Sequence, residues 1–242
     1  MALPAAADER EHPPGDDPDW GESWSFEFLT DAGLGGYVTL TLFPALGTTW
    51  YWAYLVGDGG GPVAIIDDSA PLPRPPGSLE LRTEGLWAVH VCETPLDHWT
   101  IGNEAFAVRF DDPDEALGRQ RGDRVPLGLD LEWETAAPVV DLTGGYAVPC
   151  VVHGEVLVGH DRLAIDGWGW RDHRWGVIDW GGRRAAGRCD DGTWIDDPAG
   201  LVATSIERAP VPVPGGSVER ALARVRTGDG RPGRAWLTNP DG

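Results

Sequence analysis

The stretch from position 129 to position 134 reads Leu-Asp-Leu-Glu-Trp-Glu, and apolar and acidic side chains alternate strictly along it. Successive side chains of a β-strand point to opposite faces, so this alternation predicts a strand with one buried face and one solvated face. Short alternating runs recur along most of the chain, separated by clusters of Gly, Pro and Asp. This pattern is typical of all-β sandwiches and barrels and disfavours units in which strands alternate with helices.

Aromatic strands and a lack of helical periodicity support the same conclusion. Residues 49–55 place Trp50 and Trp52 on one strand face. Only residues 114–119 predict a helical turn, with Pro113 at a position suited to a helix start. The sequence therefore predicts an all-β protein with little helix.

Composition divides the chain into four segments. Residues 1–19 are acidic and Pro-rich, and we expect a disordered acidic tail. An acidic, Gly-containing stretch at 113–124 predicts a linker. It separates an N-terminal β unit at 20–112 from a C-terminal β unit at 125–242, each with enough strands for a closed or nearly closed barrel.

Charge excludes several classes of partner. The 242 residues include 39 Asp and Glu against 19 basic residues, all of them Arg, and the formal net charge is −20. Such a chain repels a phosphate backbone, so nucleic acid is not an expected partner. No apolar run reaches the roughly 18 residues that predict a transmembrane segment. The start of the chain lacks a secretion signal, and we expect a soluble cytoplasmic protein.

Cysteine and histidine spacing bears on metals and cofactors. Cys92, Cys150 and Cys189 are isolated, without the paired spacing of a zinc ribbon, which suits a reducing compartment. His153 and His160 lie near acidic residues but without regular ligand spacing. We therefore predict neither a metal nor a cofactor.

The segment 166–180 is the densest cluster of residues able to carry chemistry, with four of the 13 tryptophans. On a strand, Trp168, Trp170 and Asp172 share one face, whereas His173 points to the other. Aromatic rings around the Asp172 carboxyl would remove hydration and raise its pKa, as a general acid requires. In the alternative interpretation, the carboxylate accepts hydrogen bonds and pairs with arginine, which lowers its pKa and makes it structural.

The residues at 167–176, Gly-Trp-Gly-Trp-Arg-Asp-His-Arg-Trp-Gly, resemble the Gly-x-Gly-x-x-Asp-His-x-Trp-Gly motif of the carotenoid 1,2-hydratase (hydroxyneurosporene synthase) and AttH-like lipocalin family. The stretches at 22–24, 85–87, 98–99 and 131–134 are similar to an uncharacterised branch of that superfamily. The resemblance implies two tandem lipocalin-like (calycin) β-barrels.

The resemblance also implies a reaction, the acid-catalysed hydration or cyclisation of an isoprenoid or polyketide-like alkene. The enzyme would be a cofactor-independent hydro-lyase or isomerase/cyclase. Asp172 matches the proton donor of the family, and His173 and Trp175 match neighbours that orient the acid and wall the pocket. Arg174 departs from the small polar residue of the motif, and its guanidinium would block or recharge the cavity.

An apolar small molecule is the expected partner in two of three hypotheses. In the enzyme hypothesis the catalytic residues are Asp172 and His173, and the substrate-binding residues are Trp168, Trp170, Trp175, Arg174, Trp50 and Trp52. A noncatalytic lipocalin-like binder would use the same cavity. In the third hypothesis, the tryptophans fill the barrels and the protein is a scaffold.

Overall fold

Strands dominate the computed structural model, which describes residues 4–57 and 60–240. Strand accounts for 62% of the chain and helix for 4%, so the all-β prediction is confirmed. The helical residues form two short 3₁₀ helices in the described part of the chain, Ala6–Glu9 and Pro113–Leu117. The second coincides with the predicted turn, and the Asp112 side chain accepts from the backbone N–H of Asp114 at its start.

The larger sheet contains the first eleven strands of the described residues. Their bounds are β1 (Trp20–Thr30), β2 (Gly35–Phe43), β3 (Thr48–Val56), β4 (Val63–Pro71), β5 (Glu80–Thr83), β6 (Leu86–Thr94), β7 (His98–Arg109), β8 (Asp123–Thr135), β9 (Val140–Leu142), β10 (Gly145–Val158) and β11 (Asp161–Val177). The alternating stretch at 129–134 lies in β8, where Leu129, Leu131 and Trp133 are buried.

Eight of these described strands close into a ring. The order β4-β3-β2-β1-β11-β10-β8-β7 is completed by antiparallel pairing of β4 with β7 at Val63 and Arg109. A closed antiparallel ring leaves no unpaired edge and encloses an interior that side chains can fill, as in lipocalins. Strands β5 and β6 extend from β7, and β9 pairs with β10.

Ring closure crosses the predicted linker at 113–124. Strands β8, β10 and β11 follow that segment in the chain, yet they belong to the same ring as β1–β7. These strands join the ring because β8 pairs with all of β7, and because β11 pairs with β1 from Trp20 to Thr30. The change from the first β unit to the second therefore follows β11, instead of lying at 113–124.

The second unit consists of shorter strands. Its bounds are β12 (Arg184–Cys189), β13 (Trp194–Ile195), β14 (Val202–Arg208), β15 (Val211–Val213), β16 (Gly216–Val218), β17 (Arg220–Arg226) and β18 (Pro232–Thr238). Five of them form a sheet of order β13-β12-β18-β17-β14, and β15 pairs with β16. Among the described residues no pairing joins β13 to β14, so this sheet is open whereas the first is a ring.

Aromatic side chains fasten the second unit to the outside of the ring. Trp236 Nε1 donates to the Phe28 carbonyl at 3.1 Å, and Tyr54 Oη donates to the Pro210 carbonyl at 2.7 Å. The apolar cluster between the units includes Trp50, Trp52 and Trp168. Aromatic rings bury a large apolar area and their N–H or O–H groups still find partners, which suits them to this interface.

No helix of the described residues is long and apolar enough to cross a membrane.

Candidate functional site

The N-terminal segment, defined as residues 4–19, packs across one end of the ring. Its 3₁₀ helix carries Glu9 into the interior, where the side chain is buried. Glu9 Oε2 accepts from Trp99 Nε1 at 2.9 Å, and Oε1 accepts from the backbone N–H of Leu96 at 2.8 Å. These contacts differ from the disordered tail predicted for residues 1–19, of which 1–3 lie outside the described residues.

A buried ion pair anchors this segment to β11. Arg171 Nη2 lies 2.9 Å from Glu9 Oε1, and Arg171 Nη1 donates to Glu9 Oε2 at 3.3 Å. Both side chains are buried, and charges in such surroundings persist only when each finds a partner. Both oxygens of the Glu9 carboxylate are therefore hydrogen-bonded, and Arg171 neutralises its charge.

A second group at the same end, called the acid–base cluster below, consists of His12, Glu22 and His173. The register of β1 and β11 pairs Glu22 with Trp175 and Trp24 with His173, which places these four side chains on one face. Glu22 Oε1 lies 2.7 Å from His12 Nδ1 and 2.8 Å from His173 Nε2. One carboxyl oxygen thus contacts both imidazoles.

Hydrogen-bond inventory assigns a proton to this cluster. His173 Nδ1 lies 2.8 Å from the Asp8 backbone carbonyl, which can only accept, so Nδ1 carries the ring hydrogen. In neutral His173, Nε2 is then a lone pair facing Glu22 Oε1, and the contact requires a proton on the carboxyl. In the tautomer in which His12 donates to the same oxygen through Nδ1, its Nε2 carries the lone pair and lies 3.8 Å from Asp8 Oδ1.

Burial supports the same protonation states. Desolvation raises the pKa of Glu22 to about 8, although the His12 backbone N–H acts to lower it. Desolvation also lowers the pKa of His173 to about 3, and that of His12 below its ordinary value. At neutral pH the cluster therefore holds a carboxylic acid between two neutral imidazoles.

Indole rings hold both imidazoles in place. His173 stacks on Trp24 with ring centroids 4.3 Å apart, and His12 stacks on Trp175 at 3.8 Å. The packing fixes both ring planes, so each histidine presents one nitrogen to Glu22. A carboxyl enclosed by aromatic rings was the environment predicted for Asp172, and the structure has it at Glu22.

A pocket of about 680 Å³ opens beside the cluster. Its size lies in the range typical of small-molecule sites. The N-terminal segment forms one wall, and residues 76–79 with parts of β1, β5, β6 and β7 form the other. Residues along it include His12, Trp24 and His90, together with Leu79, Val89 and Trp99. His12 is the member of the acid–base cluster that reaches the pocket.

Asp172 lies on the opposite face of β11, against the second unit. Arg184 Nη1 donates to Asp172 Oδ2 at 3.1 Å, and Arg174 Nε lies 3.2 Å from Oδ1. Burial acts to raise the pKa of Asp172, but the two guanidinium groups outweigh it and the pKa is lowered. The expected raised pKa is therefore corrected, and this carboxyl has the geometry of the structural alternative.

The predicted substrate-binding residues separate into two groups. Trp175 packs against His12 beside the pocket. Trp170 donates through Nε1 to the Gly187 carbonyl at 3.1 Å, in the contact between the units. Trp50, Trp52 and Trp168 belong to the apolar cluster there, and Arg174 pairs with Asp172 instead of entering the pocket.

The glycines of the motif have a packing role. A Cβ at Gly169 would collide with the backbone carbonyl of Glu27, and one at Gly167 with that of Leu29. Glycine therefore permits the close approach of β11 to β1 that sets the register of the cluster.

Two groups of ligand-type side chains lie close enough together to surround an ion in the described residues. In the acid–base cluster the atoms are within 4.8 Å of one another, but hydrogen bonds already engage Glu22. His98, Glu132 and Glu134 form the other group on an exposed face. Nothing further in either group points to an ion, and we assign none.

Several site residues escaped the sequence reasoning. Glu22 continues the apolar alternation of Trp24, Phe26 and Phe28, and a carboxylate on such a face was a usable signal. His12 offered none, because its acidic, Pro-rich surroundings predict disorder. The contacts that order it come from residues distant in the chain.

Fold and site together define an all-β protein with a ligand-sized pocket at one end of an eight-stranded ring, counted over the described residues. A family described as Domain of unknown function (DUF7064) matches residues 5–196. The chain belongs to this family. No curated protein sequence matches the chain significantly.

The comparison with solved structures supports the fold through one similar protein. A protein from Nitrosomonas europaea, solved as a candidate AttH, has a TM-score of 0.61 at 11% identity, covering 98% of this chain and 96% of its own. CghA has a TM-score of 0.38 at 11% identity, with 92% and 59% covered. Kievitone hydratase from Nectria haematococca has a TM-score of 0.44 at 8% identity, with 90% and 87% covered.

Proposed function

We propose that this protein is a hydratase-like enzyme that adds water to, or removes it from, a carbon–carbon double bond in a mostly apolar small molecule. The proposal rests on one observation, the acid–base cluster beside a pocket of about 680 Å³. A buried carboxylic acid next to a neutral imidazole supplies both partners of a proton transfer near neutral pH.

His12 is the residue that exchanges protons with the substrate. Its Nδ1 hydrogen is donated to Glu22, so Nε2 carries the lone pair that accepts a proton. Asp8 Oδ1 lies 3.8 Å from Nε2 and would stabilise the imidazolium that forms. In hydration, Nε2 takes a proton from water while the hydroxyl bonds to one carbon. The imidazolium then returns that proton to the neighbouring carbon, so one water is consumed and the histidine is regenerated. Dehydration is the reverse.

Glu22 and His173 position His12. The hydrogen bond from His12 Nδ1 selects the tautomer, as a carboxyl does for other catalytic histidines. His173 Nε2 accepts the Glu22 proton in a hydrogen bond of 2.8 Å, which fixes the carboxyl with its Oε1 towards His12. Asp172 takes no part, because its two arginine partners hold it ionised on the other face of β11.

The test is a water-addition assay with the full chain and a panel of unsaturated isoprenoids and polyketide-like compounds in ¹⁸O-labelled water. Mass spectrometry should detect a labelled product. The His12→Gln and Glu22→Gln variants should lower turnover by about 100-fold or more, the usual effect of removing a general acid or base. His98→Gln, on an exposed face near Glu132, should retain wild-type turnover.

Binding measured in the same samples tests the noncatalytic alternative. A compound that binds the pocket in wild type and in Glu22→Gln, with no labelled product in either, would support a binder of hydrophobic small molecules. Label incorporation that survives both cluster variants would contradict the assignment to His12 and Glu22.

A further inference from the structure

Two buried polar side chains in the pocket have no partner. Trp24 is 1% exposed and His90 is 4% exposed, and both line the pocket. Within the described residues, Trp24 Nε1 and both ring nitrogens of His90 make no hydrogen bond. A buried donor left unpaired costs about 1–3 kcal/mol. Such groups persist where water or a ligand completes them.

The chemistry of these groups specifies what completes them. An indole N–H only donates, so Trp24 requires an acceptor. Burial lowers the pKa of His90 to about 3, so the ring is neutral and offers one donor and one acceptor nitrogen. The nearby carboxylate of Glu9 is neutralised by Arg171. Trp24 and His90 therefore offer uncharged groups to the pocket, and these suit an uncharged oxygen.

The position of Trp24 relates this oxygen to the chemistry. The indole stacks on His173 at 4.3 Å, and His12 lines the same pocket. A ligand oxygen held by Trp24 therefore lies one side chain from the acid–base cluster. Addition of water by a neutral base requires a polarised double bond, and a carbonyl conjugated with that bond provides the polarisation. Negative charge develops on such an oxygen in the transition state, where N–H donors stabilise it.

We propose that the pocket binds an uncharged α,β-unsaturated ketone or its β-hydroxy ketone, with the carbonyl oxygen accepting from Trp24 Nε1 and from the N–H of His90. This inference rests on the proposed function and names its substrate class. The hydroxyl of water bonds to the β carbon and its proton, carried by His12, goes to the α carbon, so no oxidant or cofactor is consumed.

The experiment compares β-ionone, an isoprenoid enone, with the hydrocarbon in which a methylene group replaces its carbonyl oxygen. Affinity is measured by tryptophan fluorescence, and difference infrared spectroscopy follows the carbonyl stretch. The ketone should bind wild type about tenfold more tightly, the effect of one to two hydrogen bonds. The bound carbonyl should absorb at lower wavenumber than the free ketone.

Trp24→Phe and His90→Phe keep an aromatic ring and remove the N–H groups. Each should reduce the preference for the ketone by about fivefold and shrink the infrared shift. Without ligand, His90→Phe should not unfold at a lower temperature, because it removes unpaired polar groups. Trp24→Phe also shrinks a buried ring that stacks on His173, so its unfolding temperature should fall, and its affinity is compared at a temperature where it is folded. Trp170→Phe is the matched control, since Trp170 is similarly buried and its Nε1 donates to the Gly187 carbonyl, away from the pocket.

Equal affinity for the two compounds, an infrared shift that persists in both variants, or no binding of either compound would overturn the inference. The wild-type comparison decides even if a variant fails to fold. Selective ketone binding without loss of the enone absorbance would retain this inference and contradict the proposed function. Turnover that is the same in wild type, Trp24→Phe and His90→Phe would retain the proposed function and contradict this inference.

Discussion

Two buried carboxyl groups lie on opposite faces of the β1 and β11 pair and are held in opposite charge states. Glu22 lies with His12 and His173, and burial raises its pKa to about 8. Asp172 is the residue before His173, and its pKa is lowered. Their side chains are similarly enclosed, 0% and 4% exposed. Burial alone therefore does not decide which carboxyl keeps a proton.

The number of neighbouring arginines determines which of the two carboxyl groups is protonated. Asp172 lies between Arg174 and Arg184, and these two guanidinium groups lower its pKa. Glu27 pairs with Arg220 on the same side of the sheet, and there burial still raises the pKa of Glu27. On the other side, Arg171 is engaged by Glu9, so the acid–base cluster has imidazoles as its direct partners. A cation within a few ångströms offsets the loss of hydration, whereas a neutral imidazole does so far less. On one face of β11, Asp172 and its arginines join the two units. On the other face, Glu22 keeps its proton.

The largest effect on this comparison should come from Asp172→Asn. Removing the charge leaves Arg174 and Arg184 without their carboxylate, and breaking a buried ion pair in this way costs about 3–5 kcal/mol. Urea unfolding should show this loss. Asp166→Asn on the same strand is the control, because that side chain is 92% exposed. Unchanged stability in Asp172→Asn would contradict the structural role.

A smaller loss should follow from releasing the N-terminal segment. Glu9→Gln removes the charge that faces the buried Arg171 guanidinium but keeps an amide oxygen that can accept from Trp99, so the loss should be about 3 kcal/mol, the lower end for breaking a buried ion pair. Glu11→Gln should stay within about 0.5 kcal/mol, since Glu11 is exposed and the amide oxygen can still accept from the Gly77 backbone N–H. Thermal unfolding compares the two. Removal of residues 1–18 with no change in the transition would show that the segment is dispensable.

The all-β class followed from alternation, which is a local property of the chain. The strand at 129–134 and the helical turn after Asp112 were predictable for the same reason. Ring closure was not, because it depends on which strands pair. The acidic linker suggested a boundary at 113–124, but β8 pairs with β7 across it.

The site was predictable in part. The motif identified β11 and the alternation put Asp172 and His173 on opposite faces, as the pairing with Ser25 and Trp24 shows. Which face kept the proton depended on Arg184, which lies twelve residues further along the chain and reaches Asp172 only through folding. His12 was hidden for a similar reason, since a segment rich in Pro and acidic residues is ordered by a few distant partners.

The smallest effect concerns pH and distinguishes the two carboxyl groups directly. Because the folded state raises the pKa of Glu22 from 4.5 to about 8, its stabilising contribution is complete below about pH 4.5 and is lost as pH rises through 8. The lowered pKa of Asp172 acts in acid, where stability is lost as pH falls through the folded value. Only Glu22 should respond above neutrality.

We therefore expect the stability advantage of wild type over Glu22→Gln to shrink by about 1 kcal/mol between pH 7 and 8.5, within the limit of 1.4 kcal/mol per pH unit for one proton. The groups facing Glu22 are His12, His173 and Glu11. The pKa values of both histidines are lowered, so they stay neutral across this window. Urea unfolding at several pH values measures the difference, and a constant difference would mean that Glu22 is already ionised and the cluster holds no proton.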